Sequence, residues 1–246
     1  MKAEIKKKCY FYVVQKKRSV RFRAGFFVAV TIALIGDSCG EKGGKNINEG
    51  EIHYSIEYFG SMGSYKDIMP KTLIVSFKKD KILFDISAPI GNSGIMNLSN
   101  PEKGIFDTYI SLLTMRYYYP AKPGEIQPGF DAMEGMNIRK TQKVTQICGF
   151  NCKNAEITLP GEQGIVHQVW YTDEINIKNP NISNPFSEID GVLMSFFFFM
   201  GDAEMRFTAE SVYRKDIPDK VFDRKEKYKR ISREEISNFI EKLISI

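Results

Sequence analysis

Apolar and polar residues alternate along most of the chain after residue 50, and a two-residue period predicts β-strands rather than helices. From Glu51 to Phe59, Ile52, Tyr54, Ile56 and Tyr58 share one face, while Glu51, His53, Ser55 and Glu57 share the other. Leu73, Val75 and Phe77 continue the pattern. The charged turn Lys78-Lys79-Asp80 then leads into Ile82, Phe84, Ile86 and Ala88, which predicts a hairpin. A loop from 89 to 102 contains a short strand at Ile95 to Leu98. The aromatic and β-branched run from Gly104 to Tyr119 reads as two short strands or one bent strand. In AKPGEIQPGFDAMEGMN the pattern stops, and this segment is expected to cross the sheet as an irregular connection. Arg139 to Ile147 is a further strand. Gly149 marks a reversal, because glycine reaches positive φ without a Cβ clash. Ala155, Ile157 and Leu159 follow, Pro160-Gly161 closes their strand, and Ile165 to Thr172 opens the next.

Two later stretches depart from simple alternation. Val192 to Met200 is apolar throughout, so this strand needs cover on both faces, from a helix, a partner or a ligand. Met205, Phe207 and Ala209 then alternate with Glu204, Arg206, Thr208 and Glu210. At the C-terminus the period changes to that of a helix. Ser232 and Glu235 form a capping box, and Ile236, Phe239, Ile240, Leu243 and Ile244 make one apolar stripe expected to pack on the sheet.

The first 38 residues change the reading of the charge. Nine of the 35 Lys and Arg lie there, but only two of the 30 Asp and Glu, so the chain from Cys39 onward carries 26 positive and 28 negative groups. A net charge of +5 thus becomes −2, and the argument for nucleic-acid binding, which needs a basic surface in the mature protein, disappears. The basic segment to Arg23, the apolar run AGFFVAVTIALIG and the Asp37-Ser38-Cys39 junction have the order of an export signal. Thirteen helical residues would cover about 20 Å, short of a bilayer core of roughly 30 Å. The expected organisation is a signal peptide over 1–38, a flexible tether over 39–50 and one domain over 51–246. Cysteine after a small residue at the end of such a run resembles the lipobox of bacterial lipoproteins, which implies lipidation at Cys39. The expectation is an exported protein, lipid-anchored on the periplasmic side of the outer membrane or at the cell surface.

Catalytic chemistry is not evident. Two histidines are few, and the pattern puts His53 on a polar strand face and His167 on an apolar one, the setting of a satisfied core histidine. No nucleophile elbow or phosphate-binding loop is present in the sequence. The expectation is therefore no enzyme activity, no catalytic residue, no cofactor and no metal. Cys148 and Cys152 flank the Gly149 turn, where a disulfide and two packed thiols both remain open; a metal would need two further ligands. Tyr117, Tyr118 and Tyr119 alternate across a strand and so cannot form one stacking platform.

The segments ICGFNCKNAEI, VWYTDEI and NPFSEIDGVLMSF, within residues 140 to 232, resemble uncharacterised Gram-negative envelope proteins of the GLPGLI type. Gly191 and Val192-Leu193 match the Gly-apolar part of that motif. The resemblance implies a fold similar to the lipoprotein-localisation factors: an α+β architecture, mainly β, with a strongly curved antiparallel sheet like half a barrel closed by the C-terminal helix. Folds of that kind hold acyl chains. The expected function is non-enzymatic binding of a lipid or acyl chain between sheet and helix, with Phe196, Phe197, Phe198, Phe199, Met205 and Phe207 as the apolar ligand face. The alternative is a structural or protein-interaction lipoprotein without a small-molecule ligand.

Overall fold

The computed structural model describes residues 46–60, 69–88, 93–162, 164–200 and 203–244. Cys39 and the leader lie outside them. Twelve strands form a single sheet: β1 (Glu49–Phe59), β2 (Thr72–Lys78), β3 (Lys81–Ser87), β4 (Gly94–Asn100), β5 (Ile105–Leu112), β6 (Met115–Pro120), β7 (Asn137–Ile147), β8 (Phe150–Thr158), β9 (His167–Thr172), β10 (Val192–Met200), β11 (Ala203–Arg214) and β12 (Lys229–Arg230). Their order across the sheet is β12-β6-β5-β4-β3-β2-β1-β11-β10-β9-β8-β7. Most sequence neighbours pair antiparallel, as short turns require, but β6 and β7 do not pair, nor do β11 and β12. The long pairing of β1 with β11 welds two meanders into one sheet.

These pairings correct the expected fold class. The fold is mostly β rather than α+β, with 53% of the described residues in strands, and α1 (Arg233–Ile244) is the single α-helix among them. The sheet is mixed rather than antiparallel, since β12 runs parallel to β6. It is also not closed, because β7 and β12 remain as edges. The parallel strand has a simple origin. After β11 the chain crosses the convex face through a 3-10 turn at Asp219–Phe222, and so reaches the β6 edge already running in its direction.

Strong curvature is present. Helix α1 touches both β6 and β10, which lie seven positions apart in the strand order. In a flat sheet that is about 34 Å, whereas a 12-residue helix spans only about 18 Å. The sheet must curl to bring both strands to one helix. The capping box forms as the sequence predicts: the Ser232 N–H donates to Glu235 Oε2 at 2.8 Å, and the Glu235 N–H to Ser232 Oγ at 3.2 Å. Ile236 and Ile240 are buried, and Phe239 meets the Tyr117 ring at 5.7 Å.

Residues 47–50, within the stretch expected as a tether, are part of the folded domain. Ile47 is fully buried, bridges to Ile175 and directs the chain into β1 at Glu49. On the convex side a second apolar layer joins Leu83, Leu98 and Tyr109 of the sheet to Ile217 and Phe222 of the crossing segment. Polar contacts pin that segment. Arg224 donates twice to the fully buried Asp107, at 2.8 and 3.0 Å, and Asn100 Nδ2 donates to the Phe222 carbonyl at 3.0 Å.

A candidate ligand cleft on the concave face

Directly paired residues of neighbouring antiparallel strands lie on the same side of a sheet. Phe196 opposes Phe207, Phe198 opposes Met205, and Phe207 and Met205 oppose Ile56 and Tyr58. This set belongs to the concave face. The stacked Phe196 and Phe207 rings lie 4.9 Å apart, and the buried Tyr54 packs edge-on to Phe196 at 5.6 Å. Phe197 and Phe199 point to the other side, where His167 covers them at 4.5 and 5.6 Å. The six residues expected as one apolar ligand face therefore divide between two faces. Of these, Phe198 and Met205 line a cleft.

That cleft lies between the concave surface and a strap formed by residues 121–136. Its walls include Leu73, Phe84, Ile95, Phe198 and Met205; Gln127, Pro128 and Phe130 roof it. Phe130 packs on Phe198 at 4.4 Å. The cleft leaves about 40 Å³ free for the centres of water-sized spheres, within about 640 Å³ that includes open solvent at its mouth. On that measure one water needs about 10–15 Å³, so the free space takes a small group rather than a whole acyl chain.

Helix α1 holds the strap through its first residue. Arg233 Nη1 donates to Glu125 Oε1 at 2.9 Å and to the Ile126 carbonyl at 2.8 Å, and Nη2 donates to Asp131 Oδ1 at 3.2 Å. The Tyr119 hydroxyl also donates to Glu125 Oε1, at 2.8 Å. Burial acts to raise the Glu125 pKa, but the Lys122 N–H, the Tyr119 hydroxyl and Arg233 outweigh it and hold the carboxyl below its ordinary value.

Polar atoms at the cleft are short of partners. Asn97 Oδ1, Thr108 Oγ1 and Gln127 Nε2 are buried with no hydrogen-bond partner among the described residues. Asn97 and Gln127 line the cleft, and Thr108 directly opposes Asn97 in the β4–β5 ladder. Each such group costs about 1–3 kcal/mol when left unpaired. The apolar pattern did not single out these residues. A readable sign existed for one: Thr108 occupies the same strand face as Phe106 and Ile110, a polar group at a core position.

No disulfide joins Cys148 and Cys152, the pair for which a disulfide and two packed thiols were both open. Cys148 occupies the hairpin turn at φ 52° with Gly149 at φ 82°, and its Sγ donates to the Ala209 carbonyl at 3.2 Å. Burial pushes the Cys152 thiol up to about 11, so it is not a nucleophile at neutral pH. His167 Nε2 lies 2.8 Å from Glu162 Oε2, and His53 is half-buried beside Glu51. Among the described residues no group of three or more His, Cys, Asp or Glu is placed to hold a metal.

Neither a protein-family model nor a curated protein sequence matches the chain, so no family match stands behind the GLPGLI-type resemblance. Among solved structures it is similar to PNGF-II in two crystal forms. In one the TM-score is 0.50 at 14% identity, over 78% of this chain and 33% of that one. In the other it is 0.49 at 15% identity, over 80% and 33%. The chain thus spans about a third of PNGF-II, and the likeness is one of fold alone. A LolA superfamily protein from Nitrosomonas europaea is more distant, with a TM-score of 0.31 and 10% identity over 74% of this chain and 92% of that one.

Proposed function

We propose that this is a non-enzymatic cell-envelope lipoprotein, anchored through Cys39, that binds an apolar ligand by one end in the cleft between the concave sheet and the 121–136 strap. The observation that carries the reading is the cleft itself, whose walls are mostly aliphatic and aromatic and whose roof is pinned by Arg233. Ligand sites are typically apolar concavities with a few placed polar groups. The small enclosed volume narrows the earlier expectation: an alkyl or acyl ligand would enter end-first, its remainder lying towards the mouth. The same volume also favours the alternative, an interaction lipoprotein with no small-molecule ligand.

Native mass spectrometry with solvent extraction, on the compact Cys39–Ile246 unit begun at Gly40 and purified without detergent, separates the two. Under the binding reading a lipid co-purifies near stoichiometry, or is taken up on incubation with short-chain lipids. An apo mass that stays unchanged after such incubation leaves the interaction reading in possession.

A further inference from the structure

We propose that Asn97 and Gln127, with Thr108 beside Asn97 in the ladder, form a recognition site for an uncharged, hydrogen-bonding head group, a hydroxyl or a carboxamide, on an alkyl chain. The inference rests on the ligand-cleft reading above and adds the chemistry of the ligand's buried end. Thr108 is fully buried and Gln127 is 3% exposed, yet each carries a side-chain polar atom with no partner among the described residues. Asn97 faces Thr108 across the ladder, and Gln127 approaches the cleft from the strap. Two carboxamides and a hydroxyl offer donors and acceptors whichever way the amides are turned. A hydroxyl or amide head satisfies both kinds.

Charge decides against an anionic head. Among the described residues none that lines the cleft is ionisable, and a carboxylate placed there would be desolvated without a counter-ion from them. Arg233 is committed to Glu125, Asp131 and the Ile126 carbonyl. The chain of the ligand would run along Leu73, Phe84, Phe198 and Met205, with the strap closing over the head.

Calorimetric titration of the purified protein at pH 7.5 with 1-octanol, octanamide, octanoate and n-octane tests this. Octanol and octanamide are expected to bind at least tenfold more tightly than octanoate or octane. Thr108→Val and Gln127→Met should each weaken octanol binding about fivefold and lower the octanol-to-octane affinity ratio at least as much. Gln127 lies on the strap, so its variant serves should Thr108→Val fail to fold. If octane binds as well as octanol and the variants change nothing, the cleft is a ligand site but the polar recognition is wrong. Octanoate binding equal to octanol removes the charge argument. A crystal structure with octanol in the cleft and only ordered water on the three groups overturns the assignment. Silence from all four probes removes the cleft reading and this one together.

Discussion

Replacing Phe198 with alanine probes the cleft most directly. The ring is 5% exposed and packs against Phe130 at 4.4 Å, Phe196 at 5.2 Å, Phe207 at 5.5 Å and Phe186 at 5.8 Å. Truncation removes about 100 Å³; at roughly 24 cal/mol per Å³ of unrelaxed cavity this costs about 2.4 kcal/mol before the lost transfer energy, for a total near 4 kcal/mol. The variant should still fold, because the other rings retain their partners. The new void of about 100 Å³ opens into the existing cleft, and the combined apolar space approaches the size, about 150 Å³, at which an engineered apolar cavity admits benzene. Urea denaturation followed by circular dichroism measures the first effect: with a slope of about 2 kcal/mol per molar, the midpoint should fall by about 2 M. Adding benzene measures the second. At ten times its dissociation constant, a ligand bound only by the folded state restores about 1.4 kcal/mol. A loss below 1 kcal/mol with no response to benzene would show that Phe130 and the strap do not close over Phe198, and the cleft argument would go with them.

Three other expectations follow from the packing. Arg224→Met should destabilise more than Asp107→Leu, by about 2–3 against 1–2 kcal/mol, because it strands a buried carboxylate while the half-exposed guanidinium can return to water; equal losses in urea melts would refute this. Gly50→Ala should prevent folding, since its Cβ would lie 2.1 Å from the Tyr213 carbonyl oxygen, whereas Gly149→Ala meets no neighbour and should cost only about 1 kcal/mol for its positive φ, which thermal melts would separate. Glu125 has a folded-state pKa below its unfolded value, so its contribution is present above the unfolded value near 4.3 and is lost as pH falls through the folded one. Amide exchange in the 121–136 strap should therefore accelerate below about pH 4 before the central strands respond, and uniform acceleration would contradict a strap held by Glu125.

What the sequence by itself determined was local. Alternation at Ile52, Tyr54 and Ile56 identified β1, the turn at Gly149 fixed the β7–β8 hairpin, and Ser232 with Glu235 identified the start of α1. Each depends on residues a few positions apart, where steric and hydrogen-bonding preferences act within one element. The doubly buried character of Val192 to Met200 was also legible, because four successive phenylalanines cannot all point to one face. Only the tertiary structure decided which face became the cleft and what covered the other. His167 on β9 covers Phe197 and Phe199, a cross-strand role invisible to a pattern read along a single strand. The same limit applies to the pairing of β1 with β11, the parallel edge at β12 and the placing of Asn97 and Gln127 in one cleft. Such contacts join residues far apart in sequence, and they are chosen by sheet curvature and by the route of irregular segments. No local period encodes either, which is why the open and mixed character of the sheet could be established only from its strand pairings.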